Sequence, residues 1–506
     1  MGYDLLNDQD RKQLKAAGIS PKQAKAQLDF FKIGAKPLML RRPCTAGDGI
    51  VTITEAALAT LAGRHDETAD AGRCMKFVPA SGAASRMFSD WHNTLQQGAL
   101  PHRDMERLAE DLPRFAFFQD LKEGMSSRGQ DVFALMEKGD LHHILNYILS
   151  PGGMNYGHLP KALLKFHNTE EGGRTAIEEH LVEAAFYTAD KQKTCRIHFT
   201  VSEEHRKQTA SFLARIKETQ EARLGVTFEI GLSSQSGSSR TLAMEGEGLY
   251  RDRSGRLILR PGGHGALLEN LSALDGDIVF IKNIDNVVPD SLKSGLVFYK
   301  KVLGGYFIGL EEEIFRHLRD LSTEETVPAA IVAAKLFCQQ KLQIAFSAEF
   351  AGFPLAQQHR VLLDRLNRPL RVCGMVKNEG EPGGGPFWVD EGKELSRQIV
   401  EYHQIESGSA EQRAIWSAAT HFNPVDLVCG LRDYQGRRFN LKLFVDPTAV
   451  SLTEKIERGR RIKVLEYPGL WNGSMARWNT VFVEVPNSTF NPVKTIADLL
   501  RPQHQV

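Results

Sequence analysis

The segment DIVFIKN, residues 277–283, is apolar without interruption from Ile278 to Ile281, then turns polar at Lys282 and Asn283. Four consecutive buried side chains are too few for a core helix and point to both faces of a strand, so this segment reads as a central strand covered on both sides. Other strands show the two-residue period of half-buried strands: TCRIHFTVS places Cys195, Ile197, Phe199 and Val201 on one face, and VTFEIGL does the same with Val226, Phe228, Ile230 and Leu232. Helical spacing separates them, as in TAIEEHLVEAAFYTA with Ile177, Leu181 and Ala184 on one side. A central strand among strands that alternate with helices predicts an α/β fold around a doubly wound, mostly parallel sheet, in which ligands bind beyond the carboxyl ends of the strands.

One such end carries an unusual loop. After the apolar run MKFV come VPASGAASRMF, residues 78–88: Ala80, Ser81, Gly82, Ala83, Ala84 and Ser85, then Arg86. Small side chains let backbone N–H groups approach a ligand, and the arginine suggests that the ligand is anionic. A tight strand-to-helix turn is the alternative reading. Lys plus Arg (63) nearly equal Asp plus Glu (62), so the net charge of +1 gives no broad electrostatic footprint for nucleic acid or an anionic membrane. Any anion site must be local.

The organisation follows from texture. Residues 1–72 read as an N-terminal helical extension, with Ser20-Pro21 as cap and first helical position and a helix starting after Thr54. Residues 73–438 read as the main α/β domain, interrupted by helical insertions at about 89–158 and 291–368. Residues 439–506 return to short strands such as TVFVEVP. The Gly-rich piece EGEPGGGPFWV, residues 379–389, reads as a turn or a ligand-touching loop. Six cysteines stand singly without any CxxC pair, which argues for buried apolar thiols rather than a zinc site or disulfides. No apolar run is long enough to cross a bilayer, and the acidic start MGYDLLNDQD is unlike a signal peptide. The expectation is a cytoplasmic protein.

Four further stretches bear on the anion. LPKALLKFH offers Lys161; RPGGHGALLENL offers Gly262, Gly263, His264 and Gly265 at a helix start; IKNIDNVVPD puts Asp285 just past the buried strand; and NSTFNPVKTIADLL carries Lys494. Each has an ordinary reading as a solvated lysine, a turn or a helix cap. Together they offer N–H groups and cations for phosphate oxygens, and a carboxylate for a hard divalent ion. Nucleotidyl or phosphoryl transfer needs that set. The Walker spacing GxxxxGK(S/T) is absent, and so is a plain GxGxxG fingerprint.

In their order these motifs resemble the UDP-sugar pyrophosphorylases of the UDP-glucose and UDP-N-acetylhexosamine types, within the Rossmann-like nucleotide-diphospho-sugar transferase fold. SGAASRM resembles that family's Gly-Gly-x-Gly-Thr loop, Pro160-Lys161 its Pro-Lys, Pro261–Gly265 its Pro-x-Gly-His-Gly segment, and Ile284-Asp285-Asn286 its Asp-Asn metal motif. Further on, Gly383–Gly385 and IVEYHQI with Glu401 resemble a Gly-Gly loop and a Leu-Glu-x-x-Gln strand, and HFNPVD, residues 421–426, is similar to the Phe-Asn-Thr-Asn segment. EVPNSTFNPVKTIADLL is the most specific match, to Val-Pro, Phe-x-Pro-Val-Lys-Thr and Asp-Leu-Leu. Two departures stand out: Ala84 replaces a loop glycine, and Lys161 comes some seventy residues after the loop rather than after a short gap.

The resemblance implies a divergent bacterial branch known mainly as a domain of unknown function. It implies a sugar-1-phosphate nucleotidyltransferase that joins a nucleoside triphosphate, UTP, to a sugar 1-phosphate and releases pyrophosphate with Mg²⁺. It assigns Arg86, Lys161 and Lys494 to catalysis, and Ala80, Ser81, Gly82, Ser85, Gln235, Gly263, His264 and Gly265 to the nucleotide. Gly384, Glu401 and Asn423 face the sugar on this reading, and Asp285 and Asp426 hold the metal. Two other readings remain open at this level: a glycosyltransferase of the same fold that uses a nucleotide sugar, and a non-catalytic nucleotide-binding relative. In WNGSMARWNT, two tryptophans could stack a sugar or pack in the core.

Overall fold

In the computed structural model, residues 5–505 are described except 83, 98–101, 324–327, 382, 393 and 458, so Ala83 of the small-residue loop and parts of both helical insertions lie outside the described residues. The chain divides into two units, with the division falling inside the Ile278–Lys282 strand: one unit comprises residues 1–65, 235–280 and 302–485, the other residues 66–234, 281–301 and 486–506. The fold is mixed α/β; the central strands of each unit run mostly parallel, and smaller antiparallel sheets accompany them.

In the second unit, the strands Cys74–Pro79, Thr194–Val201 and Thr227–Ser234 run parallel, with Val78 beside Phe199 and Phe199 beside Leu232. The alternation in the middle strand puts Cys195, Ile197, Phe199 and Val201 into the core. Thr175 opens the Ala176–Ala185 helix with a capping box closed by Glu178, and Ile177, Leu181 and Ala184 face inward as their spacing requires. Within 89–158 the described residues form five α-helices separated by turns, the last ending at Leu149 with residues 150–158 in turns, and this Leu141–Leu149 helix buries Leu141, Ile144, Leu145, Ile148 and Leu149. These side chains join one apolar cluster with the strands; each fully buried leucine or isoleucine contributes about 1.5–3 kcal/mol.

In the first unit, Gly49–Val51, Asn479–Glu484 and Leu370–Lys377 run parallel, and Asp426–Gly430 pairs antiparallel with the last. A separate antiparallel sheet joins Leu40–Pro43, Gly385–Asp390 and Leu395–Val400. Inside the stretch read as a helical extension, the helices Asp8–Ala16, Pro21–Ile33 and Glu55–Asp70 form with Ser20 as the expected cap. Three short strands lie between them, Leu40–Pro43, Thr45–Ala46 and Gly49–Val51, too short for a period to register in the sequence. All five residues of Ile278–Lys282 are buried, as the apolar run requires, and all six cysteines are free and buried. Among the described residues no helix is long and apolar enough to cross a membrane.

Candidate functional site

Within the second unit, the Cys74–Pro79 strand runs straight into the small-residue loop. Pro79 accepts a backbone bond from Ile284 (3.3 Å), which brings the residues after the buried strand alongside the loop. The 491–494 segment then zips onto them: Asn286 bridges to Pro492, Asn491 N–H donates to Asn286 Oδ1 (3.0 Å), and Val493 N–H donates to the Asp285 carbonyl (2.9 Å). Three residues from distant parts of the sequence therefore meet. Lys161 Nζ donates to Asp285 Oδ2 (3.0 Å) and to the Val493 carbonyl (2.9 Å), and Lys494 Nζ donates to the same Asp285 oxygen (3.1 Å).

Two ammonium groups on one carboxylate oxygen leave the cluster with a net positive charge. Burial pushes the Asp285 carboxyl up, but attraction to Lys494 and Lys161 outweighs it and the carboxylate stays ionised, below its usual range. Burial pulls the Lys161 ammonium down, opposed by Asp285 and aided by Lys494 and Arg86. Lys494 is about half exposed (48%), so its remaining hydrogens can reach an anion. Its backbone is held from behind, where Asp498 accepts from the N–H groups of Lys494 and Thr495 (2.8 and 2.7 Å) and pairs with Arg501 (2.8 Å). The Thr495–Asp498 pair is a capping box, the S/T-x-x-D/E signal readable in TIAD, and Asp498 is the member of this site that the sequence reading missed.

The loop behaves differently from a simple N–H cradle. Ala80 N–H is taken by the Thr200 carbonyl (2.8 Å) and Ala84 N–H by the Leu159 carbonyl (3.2 Å), while the Gly82 carbonyl accepts from Lys161 N–H (3.2 Å). Ser81 and Gly82 are half-buried, Ser85 and Arg86 exposed. A Cβ added at Gly82 meets nothing within 4 Å, so packing does not call for this glycine and open space lies over it. Ala84 stands in a short 3₁₀ turn, Ala84–Arg86, where no positive φ is required; that is how alanine serves where the resembled loop has glycine.

Beneath the cluster lie two buried charge networks that the apolar pattern concealed. Lys76 and Lys282 each donate to Glu183 (3.0 and 2.7 Å), and His180 Nε2 meets the Ile284 carbonyl at 3.2 Å. Glu179 bonds His167 Nδ1 (2.9 Å), Arg174 (3.3 Å) and Lys293, while His167 Nε2 meets His504 Nδ1 at 2.8 Å with the rings stacked. The second network ties His504, ten residues past Lys494, through His167 to Glu179 of the Ala176–Ala185 helix.

The remaining expected residues fall in the first unit. His264 Nδ1 accepts Leu470 N–H (3.0 Å), which leaves the proton on Nε2, and its ring stacks on Trp471 at 4.1 Å. Burial pulls its pKa down to about 4, so the imidazole is neutral. Nε2 points toward Glu401 Oε1 at 3.8 Å, and burial pushes the Glu401 carboxyl up, with His403 opposing and Glu466 adding to the rise. Gly263 takes φ 74° against Glu466, and a Cβ on Gly265 would lie 2.2 Å from the Pro468 carbonyl, so both glycines are required by their backbone surroundings. Asn423 N–H donates to the Gly384 carbonyl (2.8 Å), and its Oδ1 caps Val425, itself at φ 55°. Asp426 is buried at the start of its strand, and Gln235 is half-buried. A Cβ on Gly384 would lie 3.3 Å from Glu401 Cγ, so His264, Glu401, Gly384 and Asn423 are neighbours within that unit. Among the described residues no three His, Cys, Asp or Glu side chains are grouped to hold a metal ion.

Comparisons with known proteins add the following. A family model described as "Domain of unknown function (DUF4301)" matches residues 7–505. No curated protein matches the chain. Among solved structures it is similar to a UDP-N-acetylglucosamine pyrophosphorylase from Trypanosoma brucei in complex with an inhibitor, at 13% identity over 98% of this chain and 79% of that one, TM-score 0.50. It also matches a UDP-glucose phosphorylase from Trypanosoma brucei (13%, 97% and 77%, TM-score 0.44) and a UDP-glucose pyrophosphorylase variant from Leishmania major in complex with UDP-glucose (13%, 97% and 77%, TM-score 0.46). At such identity the likeness concerns fold, and the first match carries it.

Proposed function

From the premise that this chain belongs to the DUF4301 family, we propose that it is a nucleotidyltransferase that joins a nucleoside triphosphate, UTP in the first instance, to a sugar 1-phosphate and releases pyrophosphate. The observation that carries this reading is the Lys161–Asp285–Lys494 cluster beside an open small-residue loop at the carboxyl end of a parallel strand. A mixed α/β fold with mostly parallel central strands, similar to that of a UDP-N-acetylglucosamine pyrophosphorylase, supports it, and we take the protein to act in the cytoplasm.

On this reading an oxygen of the sugar phosphate attacks the α-phosphorus, the bond to the β-phosphate oxygen breaks, and pyrophosphate leaves. Positioning and charge neutralisation do most of the work. Lys494, half exposed, moves with the leaving or attacking phosphate. Lys161, buried and anchored on the Val493 carbonyl, supplies a fixed positive charge. Arg86 binds outer phosphate oxygens and Gly82 lets them approach, with Ser81 and Ser85 beside it. Mg²⁺ fits a lone carboxylate when phosphates and water complete its shell, so Asp285 would hold it, and when bound it supplies charge neutralisation at the phosphates. In the first unit, His264 with its fixed Nε2–H, and the Trp471 ring behind it, are assigned to a base or sugar ring.

A second reading, a non-catalytic nucleotide binder, has one observation in its favour: Ala80 and Ala84 spend their N–H groups on the protein's own carbonyls. Pyrophosphate release from each of four nucleoside triphosphates with Mg²⁺ and a panel of sugar 1-phosphates separates the two. Release that needs both substrates and collapses in Lys494→Ala supports the transferase. Nucleotide-induced thermal stabilisation without release supports the binder.

A further inference from the structure

The first unit contains a small cleft, about 60 Å³, that none of the catalytic, nucleotide, sugar or metal residues assigned above lines, although Trp478 of WNGSMARWNT does. Among the described residues its lining includes Arg365, Arg368, Arg397, Arg477 and Trp478, with Glu391 as the only carboxylate. Arginine presents a rigid fork that matches tetrahedral and planar oxyanions. Four of them around one small space call for a counter-charge.

The protein supplies only part of it. Arg365 pairs with Glu394 (2.6 Å) and Arg368 with Asp364 (2.5 Å), both outside the lining. Arg397 is buried and among the described residues donates to neutral acceptors alone, the carbonyls of Gly49 (3.3 Å) and Leu342 and the side-chain oxygen of Gln343 (3.1 Å). Burial without a carboxylate partner pulls its guanidinium down to about 10. Arg477 is exposed and forms no ion pair among the described residues. Glu391 accepts from Ser396 Oγ (2.6 Å), itself in the lining, and from Gln398 Nε2 (3.1 Å). Trp478 is 5% exposed, and its Nε1–H is buried with no acceptor among the described residues. A buried donor without an acceptor costs about 1–3 kcal/mol, and Trp478 is one of the residues that line the cleft. Gln343, which receives Arg397, sits at φ 47°, a conformation costly for a non-glycine residue and held here at the rim of the cleft.

One water needs about 10–15 Å³ of such space, so the cleft takes roughly four or five heavy atoms. A tetrahedral oxyanion has that size and is all acceptor. We propose that this cleft is a binding site for a phosphate-class oxyanion, separate from the Lys161–Asp285–Lys494 cluster. Arg397 forms its fixed floor, Arg477 its mobile clamp, and Trp478 donates the third bond. The same chemistry serves free inorganic phosphate and the phosphoryl end of a small phosphorylated metabolite.

Isothermal titration of the full-length protein with inorganic phosphate, without nucleotide, tests it, followed by Arg477→Ala, Trp478→Phe and Lys494→Ala. Each of the first two substitutions removes one donor, so saturable binding weakens about tenfold, while Lys494→Ala leaves this binding event in place. Because Arg477 is exposed, an unchanged melting temperature in Arg477→Ala shows that the loss is not unfolding. A parallel titration with glycerol 3-phosphate separates the sources: equal affinity assigns the site to free phosphate, and tighter binding assigns it to a phosphorylated metabolite. No saturable phosphate binding by the wild type, binding that Arg477→Ala and Trp478→Phe both leave untouched, or binding abolished by Lys494→Ala alone overturns the proposal. It stands or falls independently of pyrophosphate release.

Discussion

Replacing Asp285 by asparagine removes the one negative charge between two ammonium groups. Each Nζ lies about 3 Å from the same oxygen, so the two cations are at most about 6 Å apart. At an effective dielectric constant of about 20, two unit charges at that distance repel by about 3 kcal/mol. Lys494 is half exposed, so solvent screens about half of this. Two charge-assisted hydrogen bonds also fall to neutral strength, at about 1 kcal/mol together. Asp285→Asn is therefore expected to destabilise the site by about 2–3 kcal/mol. The amide of Val493, which donates to the Asp285 carbonyl, reports this locally: its hydrogen-exchange protection falls roughly 30- to 150-fold. The sharper test is a sign reversal. Lys161→Met destabilises the wild type, because it leaves a buried carboxylate with half its compensation, yet it stabilises Asp285→Asn by about 1 kcal/mol, because it removes the repulsion. If Lys161→Met lowers protection equally in both backgrounds, the two lysines do not share Asp285 as a common counter-charge and the reasoning fails.

Two other outcomes follow from the geometry. Burial holds the His504 imidazole down to about 3, against 6.5 for the free side chain, so between these values the unfolded chain binds a proton that the folded chain refuses; stability falls as pH drops through that window, by about 2 kcal/mol at pH 5. Acid titration of urea unfolding checks it, with a flatter profile in His504→Gln. The loop glycines separate packing from function: Gly265→Ala puts a Cβ 2.2 Å from the Pro468 carbonyl and costs about 1–3 kcal/mol, whereas Gly82→Ala meets nothing within 4 Å, shifts stability by less than about 0.5 kcal/mol, and weakens nucleotide-induced thermal stabilisation.

Three strands were legible from their apolar faces: Thr194–Val201, Thr227–Ser234 and Ile278–Lys282 form where the period-two pattern and the unbroken apolar run place them, whereas the buried strands Leu370–Lys377 and Asp426–Gly430 were not read. Periodicity fails where charge is buried. Lys76 and Lys282 sit inside buried strands, and Glu179, His180 and Glu183 lie on the inward side of a helix whose apolar stripe alone was readable. Each is paired across more than ninety residues, and no local pattern carries such a partner. Lys161 and Asp285 show the same limit, being recognisable by motif resemblance while their shared hydrogen bond spans 124 positions. The backbone bonds that tie up Ala80 and Ala84 were likewise invisible, because their acceptors, Thr200 and Leu159, lie far along the chain.

The transferase reading is tested most directly in reverse. With Mg²⁺ and pyrophosphate, the wild-type protein is given UDP-glucose, UDP-N-acetylglucosamine and their counterparts with the other bases, and the products are read by phosphorus NMR. A pyrophosphorylase converts one of these nucleotide sugars to a nucleoside triphosphate and a sugar 1-phosphate in equal amounts, and Lys494→Ala does not. Consumption of a nucleotide sugar without triphosphate formation, or no conversion of any of them, contradicts it.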